Sequence, residues 1–195
     1  QELFERLQAN LSEELPLRAM ELSEEEEKSL RGYGFLSLKP VLVVVNLGDD
    51  QAEIELDYDG PNSRICQLRG KLEAELSQLS GADLEMFMDE YGVTELGLDR
   101  VISLSYDLMG LHSFFTVGED EVRAWTIPVN ANAVDAAGTI HSDLAKGFIR
   151  AETVHYDDLM EAGSMAAVKT AGKFRQEGKT YIVTDGDIIN VKFNI

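Results

Sequence analysis

Apolar positions switch between helical and strand spacing along this chain, and the switches mark its elements. Over residues 1–15, Leu3, Phe4, Leu7, Leu11 and Leu15 share one helical face, up to an interruption at Pro16. Ser23 with Glu26 has the form of a capping box, and EEEEKSLRGYG then predicts a short acidic helix ending near Gly32 or Gly34. The two segments read as a helical hairpin end or coiled-coil arm. Val41 to Val45 is a continuous run of β-branched residues plus one Leu, the pattern of a strand buried on both faces of a parallel sheet. It runs straight into Asn46, Gly48, Asp49 and Asp50. The alternation in EIELDY, over residues 53–58, predicts an exposed strand, with GPN as a turn. In ICQLRGKLEAELSQLSG, Gly70 is a poor helix-interior residue. A strand to about Leu68, a loop at Arg69 and Gly70 and then a helix fits best.

The second half repeats this alternation on a smaller scale. ADLEMFMDEYG predicts a helix with Leu84, Phe87, Met88 and Tyr91 inward, and LDRVISLSYDLMG another, closed by Gly110. HSFFTVG and EVRAWTIPV predict a hairpin around GED. Ala137, Ile140, Leu144 and Phe148 then mark one face of a central helix, and IRAETVHY returns as a strand over 149–156. Strand, helix and strand in so short a span make a compact α+β unit. DDLMEAG and MAAVKTAGKF predict short helices. YIVTDGDIINVKFN predicts two strands joined by DGD, with Gly186 supplying a positive φ.

Charge narrows the partners. The 195 residues carry a formal net charge of -19, so phosphate is repelled on average and nonspecific nucleic-acid binding is disfavoured. A local basic patch remains open, drawn from Lys146, Arg150, Lys169, Lys173, Arg175 and Lys179; the plainer alternative is a solvated acidic surface with scattered lysines. No apolar run approaches the roughly 20 residues that span a bilayer, and no signal-peptide pattern opens the chain. No membrane partner is expected. The single Cys66 cannot form an internal disulfide, which suits a reduced, cytoplasmic setting.

Candidate chemistry centres on the end of the first strand. In open α/β sheets ligands bind beyond the carboxyl ends of the strands, which makes Asn46 and Asp49 a candidate site; an Asn-Gly-Asp turn is the bland alternative. No GxxxxGK[ST] loop occurs, so nothing in the sequence cradles β- and γ-phosphates. His112, His141 and His155 match no zinc spacing, and no Ser or Cys has a nucleophile context. No catalytic and no metal-binding residue is therefore assigned. His141 beside Asp143 reads first as a helix-surface histidine, and Trp125 as a core residue rather than a nucleobase stacker.

The wording of the second half is also familiar. AWTI, AAGTIHSDLAKGFIRAE and YIVTDGDIINVKFNI resemble the C-terminal TGS region of the Obg-like ATPase family, also called YchF, densely from about Leu96 to Ile195. The resemblance implies an α/β plus α+β chain. Its parts would be a helical arm (1–34), the C-terminal part of a P-loop G-type domain with linking helices (35–110), and a β-grasp, ubiquitin-like TGS domain (111–195). It implies a parent protein that binds and hydrolyses ATP or GTP with Mg²⁺ and associates with ribosomes, at the large subunit or its RNA, through TGS. The family's phosphate loop lies upstream of the matched region, so this chain alone is not expected to hydrolyse nucleotide.

Asn46-Leu47-Gly48-Asp49 stands where the family has NxxE and most GTPases have NKxD. The resemblance gives Asn46 the task of tying the base loop to its neighbours, Leu47 that of packing on the base and Asp49 that of accepting purine-edge hydrogens. Arg69 and Gly70, with Lys71, stand at the second base loop, where the family reads close to SAK. Asp at the fourth position, Arg69, and the short stretch between Asp50 and Ile65 depart from the family pattern. They imply a divergent branch and leave the choice between ATP and GTP open. Lys146, Arg150 and Lys173 are the candidate ribosome contacts. The alternative function is a non-enzymatic TGS adaptor for ribosomal RNA or protein, and the arm's apolar positions add self-association as a third expectation.

Overall fold

The computed structural model describes residues 1–58, 60–118 and 120–194, so the tip of the GED turn, at Glu119, lies outside the described residues. The chain forms two compact units, Gln1–Met109 and Gly110–Ile195.

In the first unit, α1 (Glu2–Ser12) and α2 (Glu24–Leu30) bury Leu7, Leu17 and Leu30, with Met20 and Phe35 packed at the margin. The capping box forms: the Glu26 N–H donates to Ser23 Oγ at 3.3 Å, and the Ser23 N–H donates to Glu26 Oε2 at 2.9 Å. That backbone bond, helped by Arg6, holds the Glu26 carboxyl below its ordinary range. Gly34, at φ +64°, ends the turn that follows α2.

β1 (Val41–Asn46) and β2 (Ser63–Leu68) pair in parallel, from Val41 opposite Ser63 to Asn46 opposite Leu68. α3 (Gly70–Leu76), α4 (Gly81–Glu90) and α5 (Gly97–Met109) follow, and α5 packs on both strands. Three expectations are corrected. Val41–Val45 is not buried on both faces: α5 covers the strand pair, yet Val44 is 48% exposed. Residues 53–58 make no strand. The Gln67 side-chain amide satisfies Ile54 at both ends instead, accepting its N–H at 2.9 Å and donating to its carbonyl at 2.8 Å. Tyr91 is exposed and stacks on Phe87 at 6.3 Å, while Leu84, Phe87 and Met88 are only half-buried because α4 lies chiefly against α3.

The second unit is a five-stranded sheet. β3 (Leu111–Val117) and β4 (Val122–Pro128) form the expected hairpin, joined by β5 (Phe148–His155), β6 (Arg175–Glu177) and β7 (Asp187–Phe193) in the order β4-β3-β7-β5-β6. β3 and β7 run parallel, and the other neighbours are antiparallel. α6 (Ala133–Ile140) lays the small residues Ala133, Ala136 and Ala137 on the sheet against Phe114, Ile127, Ala151 and Ile189. These small side chains let the helix approach closely and build the core. Asn132 caps α6, accepting the N–H groups of Val134 and Asp135. α7 (Ser142–Lys146), α8 (Tyr156–Ala162) and α9 (Met165–Thr170) complete the unit.

Two expectations fail here. The central helix is not continuous: His141 is extended (φ −163°, ψ 140°), and its Nδ1 accepts the Asp143 N–H at 3.1 Å to cap α7. Ile140, Leu144 and Phe148 still reach the core, across the break. Residues 181–184 form no hairpin with β7. They make only a bridge between Asn132 and Ile182, and Gly186, at φ +79°, turns the chain into β7 between β3 and β5. The cause is Asp187, fully buried, whose carboxylate accepts the Thr184 N–H at 3.0 Å, the Tyr181 hydroxyl at 2.7 Å and the Arg175 guanidinium at 3.0 Å. This carboxylate folds 181–187 into a turn around itself and draws in Arg175, on the unforeseen strand β6.

Candidate functional site

Parallel pairing brings the carboxyl ends of β1 and β2 to one edge, and with them the two stretches singled out in the sequence. Asn46 Oδ1 accepts the Gly70 N–H at 3.0 Å. A Cβ on Gly70 would lie 2.8 Å from that oxygen, so glycine permits the approach. Leu47 is buried, and its N–H donates to the Leu68 carbonyl at 2.8 Å. It anchors the loop. The Gly48 N–H donates to Gln51 Oε1 at 3.1 Å, closing the turn. Lys71 reaches from the first turn of α3 to Asp49 Oδ2 at 2.8 Å, and this contact raises the lysine pKa.

Five residues named from sequence, Asn46, Leu47, Asp49, Arg69 and Gly70, thus belong to one corner. Leu47 and Arg69 also line a cavity of about 270 Å³ with Leu72, Glu73, Tyr91 and Arg100. Sequence reasoning placed Lys71 at the second loop without giving it a role, and missed Arg100. Lys71 follows the loop directly and faces an acid, a signal that was legible. Arg100, whose guanidinium donates to the Gln67 carbonyl and lies 3.7 Å from Cys66 Sγ, comes from α5 and has no local signature.

Residues 111–194 match the YchF-GTPase_C family, described as "Protein of unknown function (DUF933)". The Ribosome-binding ATPase YchF of Bacillus subtilis (strain 168) is 42% identical over 204 residues, covering all of this chain and 56% of the relative. The chain belongs to the YchF family. The Escherichia coli O157:H7 protein of the same description is 42% identical over 186 residues, 92% of this chain and 51% of its own. The YchF GTPase structure from Schizosaccharomyces pombe superposes with a TM-score of 0.82 at 30% identity, over 97% of this chain and 53% of that one. The chain therefore spans about half the length of the YchF relatives it matches, and its mixed α/β fold is close to theirs.

The candidate ribosome contacts lie in the part matched to YchF-GTPase_C, and each is engaged by acids. Lys146 meets Asp143 at 3.4 Å, and Arg150 meets Glu152 at 3.6 Å. Lys173 bridges Asp158 at 2.9 Å and Glu161 at 2.8 Å, which raises the pKa of its ammonium. Of the other cations considered, Lys169 sits over the Phe174 ring at 4.9 Å, and Arg175 is committed to Asp187 and Glu177. Trp125 packs on the core with Arg123 over its ring at 4.1 Å, and its indole N–H donates to Thr116 Oγ1 at 2.9 Å. His112, His141 and His155 do not converge; the last two cap α7 and α8. Among the described residues no group of three or more His, Cys, Asp or Glu could hold a metal, and no helix is long and apolar enough to cross a membrane.

Proposed function

We propose that this chain carries the base-facing corner of a purine-nucleotide site and a ribosome-directed module of a YchF-type ATP or GTP hydrolase. One observation carries the reading: the Asn46 side chain ties the loop after β1 to the loop after β2 through the Gly70 N–H, at the carboxyl ends of parallel strands. In this role Asn46 fixes the two loops, Leu47 is the buried anchor beneath, and Asp49 offers a carboxylate to the donors of a purine edge. Arg69 and Gly70 present backbone. The Lys71 contact restrains Asp49 and moderates its charge, so base choice depends on whether a nucleotide displaces that lysine. ATP or GTP with Mg²⁺ would be held mainly by a phosphate loop, a motif this sequence does not contain.

The module boundaries follow the same reading: an arm over 1–34, the sheet end with its linking helices over 35–110, and a TGS-like β-grasp domain over 111–195. The strand order β4-β3-β7-β5-β6, with a parallel central pair and a helix after the first hairpin, supports the β-grasp assignment. The names of the relatives support a ribosomal partner and a cytoplasmic setting. Purified chain is expected to show no Mg²⁺-dependent nucleotide turnover. Turnover abolished by chelating the metal would contradict the reading.

A second reading, a non-enzymatic adaptor, is favoured by the pairing of Lys146, Arg150 and Lys173 with carboxylates, which suits a protein partner better than RNA. Cosedimentation with ribosomes across a salt series separates the two. A steep loss with salt points to phosphate contacts, a shallow one to protein.

A further inference from the structure

Beneath the arm, at the other end of β1, lies a cavity of about 400 Å³, the size class of small-ligand sites. Its walls include Met20, Leu22, Leu30, Phe35 and Leu38, the outer side of the small core formed by α1 and α2. Three cations line it, Arg18, Arg31 and Lys39, against a single acid, Glu27. In a chain with a net charge of -19 this local excess of positive charge runs against the average.

None of the three cations is spent on an ion pair among the described residues, in contrast with Lys71, Lys146 and Lys173. Arg18 is held in place by long contacts to the Ser37 carbonyl at 3.4 Å and the Tyr58 hydroxyl at 3.3 Å, while its Nε is buried without a hydrogen-bond partner. A buried guanidinium N–H without an acceptor is costly, and a guanidinium held only by long contacts gains from an anion, which offers shorter charge-assisted bonds. Pro40 and Asn62, which also line the cavity, immediately precede β1 and β2. The cavity is thus separated from Asn46 by the length of the strand, roughly 17 Å at 3.3 Å per residue. It is independent of the proposed base corner.

We infer that this cavity binds a small organic anion, one with an apolar body seated on Met20, Leu30 and Phe35 and a carboxylate, sulfonate or phosphate among Arg18, Arg31 and Lys39. The apolar wall supplies affinity and the cations supply orientation and selection of charge. Uncharged molecules of the same shape bind more weakly, and added salt weakens the anion selectively.

The test is a fluorescence titration of the chain with 8-anilino-1-naphthalenesulfonate, beside the uncharged N-phenyl-1-naphthylamine. It is run on the wild type and on the double variant R31Q/K39Q, whose altered side chains are exposed and leave the core intact. Selectively labelled methionine methyls report the location: Met20 lines the cavity, whereas Met86 and Met160 are exposed elsewhere. The expected result is one sulfonate per chain, a Met20 shift without Met86 or Met160 shifts, and affinity about tenfold lower or worse in the variant, as for lost charge-assisted contacts. Equal binding of the neutral dye, unchanged affinity in R31Q/K39Q, or an unmoved Met20 would overturn the inference.

Discussion

Asn46 Oδ1 and the Gly70 N–H lie 3.0 Å apart, and that one bond ties the loops at the carboxyl ends of two parallel strands. Asn46→Ala removes the acceptor and should cost about 1 kcal/mol. The expected local signature is faster amide exchange at Gly70, read by hydrogen exchange, with the β1–β2 ladder retained. Gly70→Ala should open the same corner from the other side, because its Cβ would crowd the Asn46 oxygen. Unchanged exchange at Gly70 in Asn46→Ala would show that the bond does not hold the loops.

Asp187 is the buried charge on which the second unit turns. It is fully buried and accepts bonds from Thr184, Tyr181 and Arg175. Asp187→Ala leaves a guanidinium and a hydroxyl facing an apolar gap, and should destabilise the chain by about 3–5 kcal/mol. Urea denaturation measures this directly. A loss below about 1 kcal/mol would mean that water replaces the carboxylate.

Thr153 offers the opposite case. It is fully buried on β5, and its hydroxyl oxygen has no hydrogen-bond partner. Thr153→Val keeps the shape and removes the unsatisfied group, so stability should stay level or rise by about 1 kcal/mol. A clear drop in the denaturation midpoint would reveal a bond the present geometry does not provide.

The Lys173 bridge predicts a pH signature. A hydrogen bond from Lys173 lowers the Asp158 pKa below its ordinary value of 3.8. A carboxyl whose folded pKa is depressed contributes stability above its unfolded pKa and loses it as pH falls through the folded value. The contact linking α8 to Lys173, just beyond α9, should therefore hold through neutral pH and weaken only below about pH 4. Carboxyl-detected NMR titration of Asp158 checks this, and Lys173→Met should move its midpoint upward. No movement would assign the depression to another neighbour.

How much of this was legible in the sequence depended on how local each cause was. The capping box at Ser23 and Glu26, the Gly110 closure of α5 and the β3–β4 hairpin rest on neighbours in sequence, and each forms as read. The corner at Asn46 was visible because an apolar β-branched run ending abruptly in Asn46-Leu47-Gly48-Asp49 is itself a local pattern. What could not be read depends on distant partners. Gln67 occupies the backbone of Ile54 from 13 residues away, so EIELDY never enters a ladder. Asp187 gathers Arg175 and Tyr181, so YIVT turns around a carboxylate instead of forming a hairpin. His141 shows the reverse: its cap on Asp143 is local, but histidine is a less usual cap than Asn132, and apolar spacing continued across the break. Exposure of Val44 depends on what covers a strand face, which strand composition alone does not specify.

The most direct measurement is a backbone amide NMR titration of the chain with adenosine and guanosine, which probe base recognition without phosphates. Shifts are expected at Gly48, Asp49, Gly70 and Lys71 that saturate with one purine, and that vanish in Asn46→Ala while the spectrum stays folded. Shifts absent from residues 46–49 and 69–71 at saturating nucleoside, or unaltered by Asn46→Ala, would contradict a base-facing role for this corner.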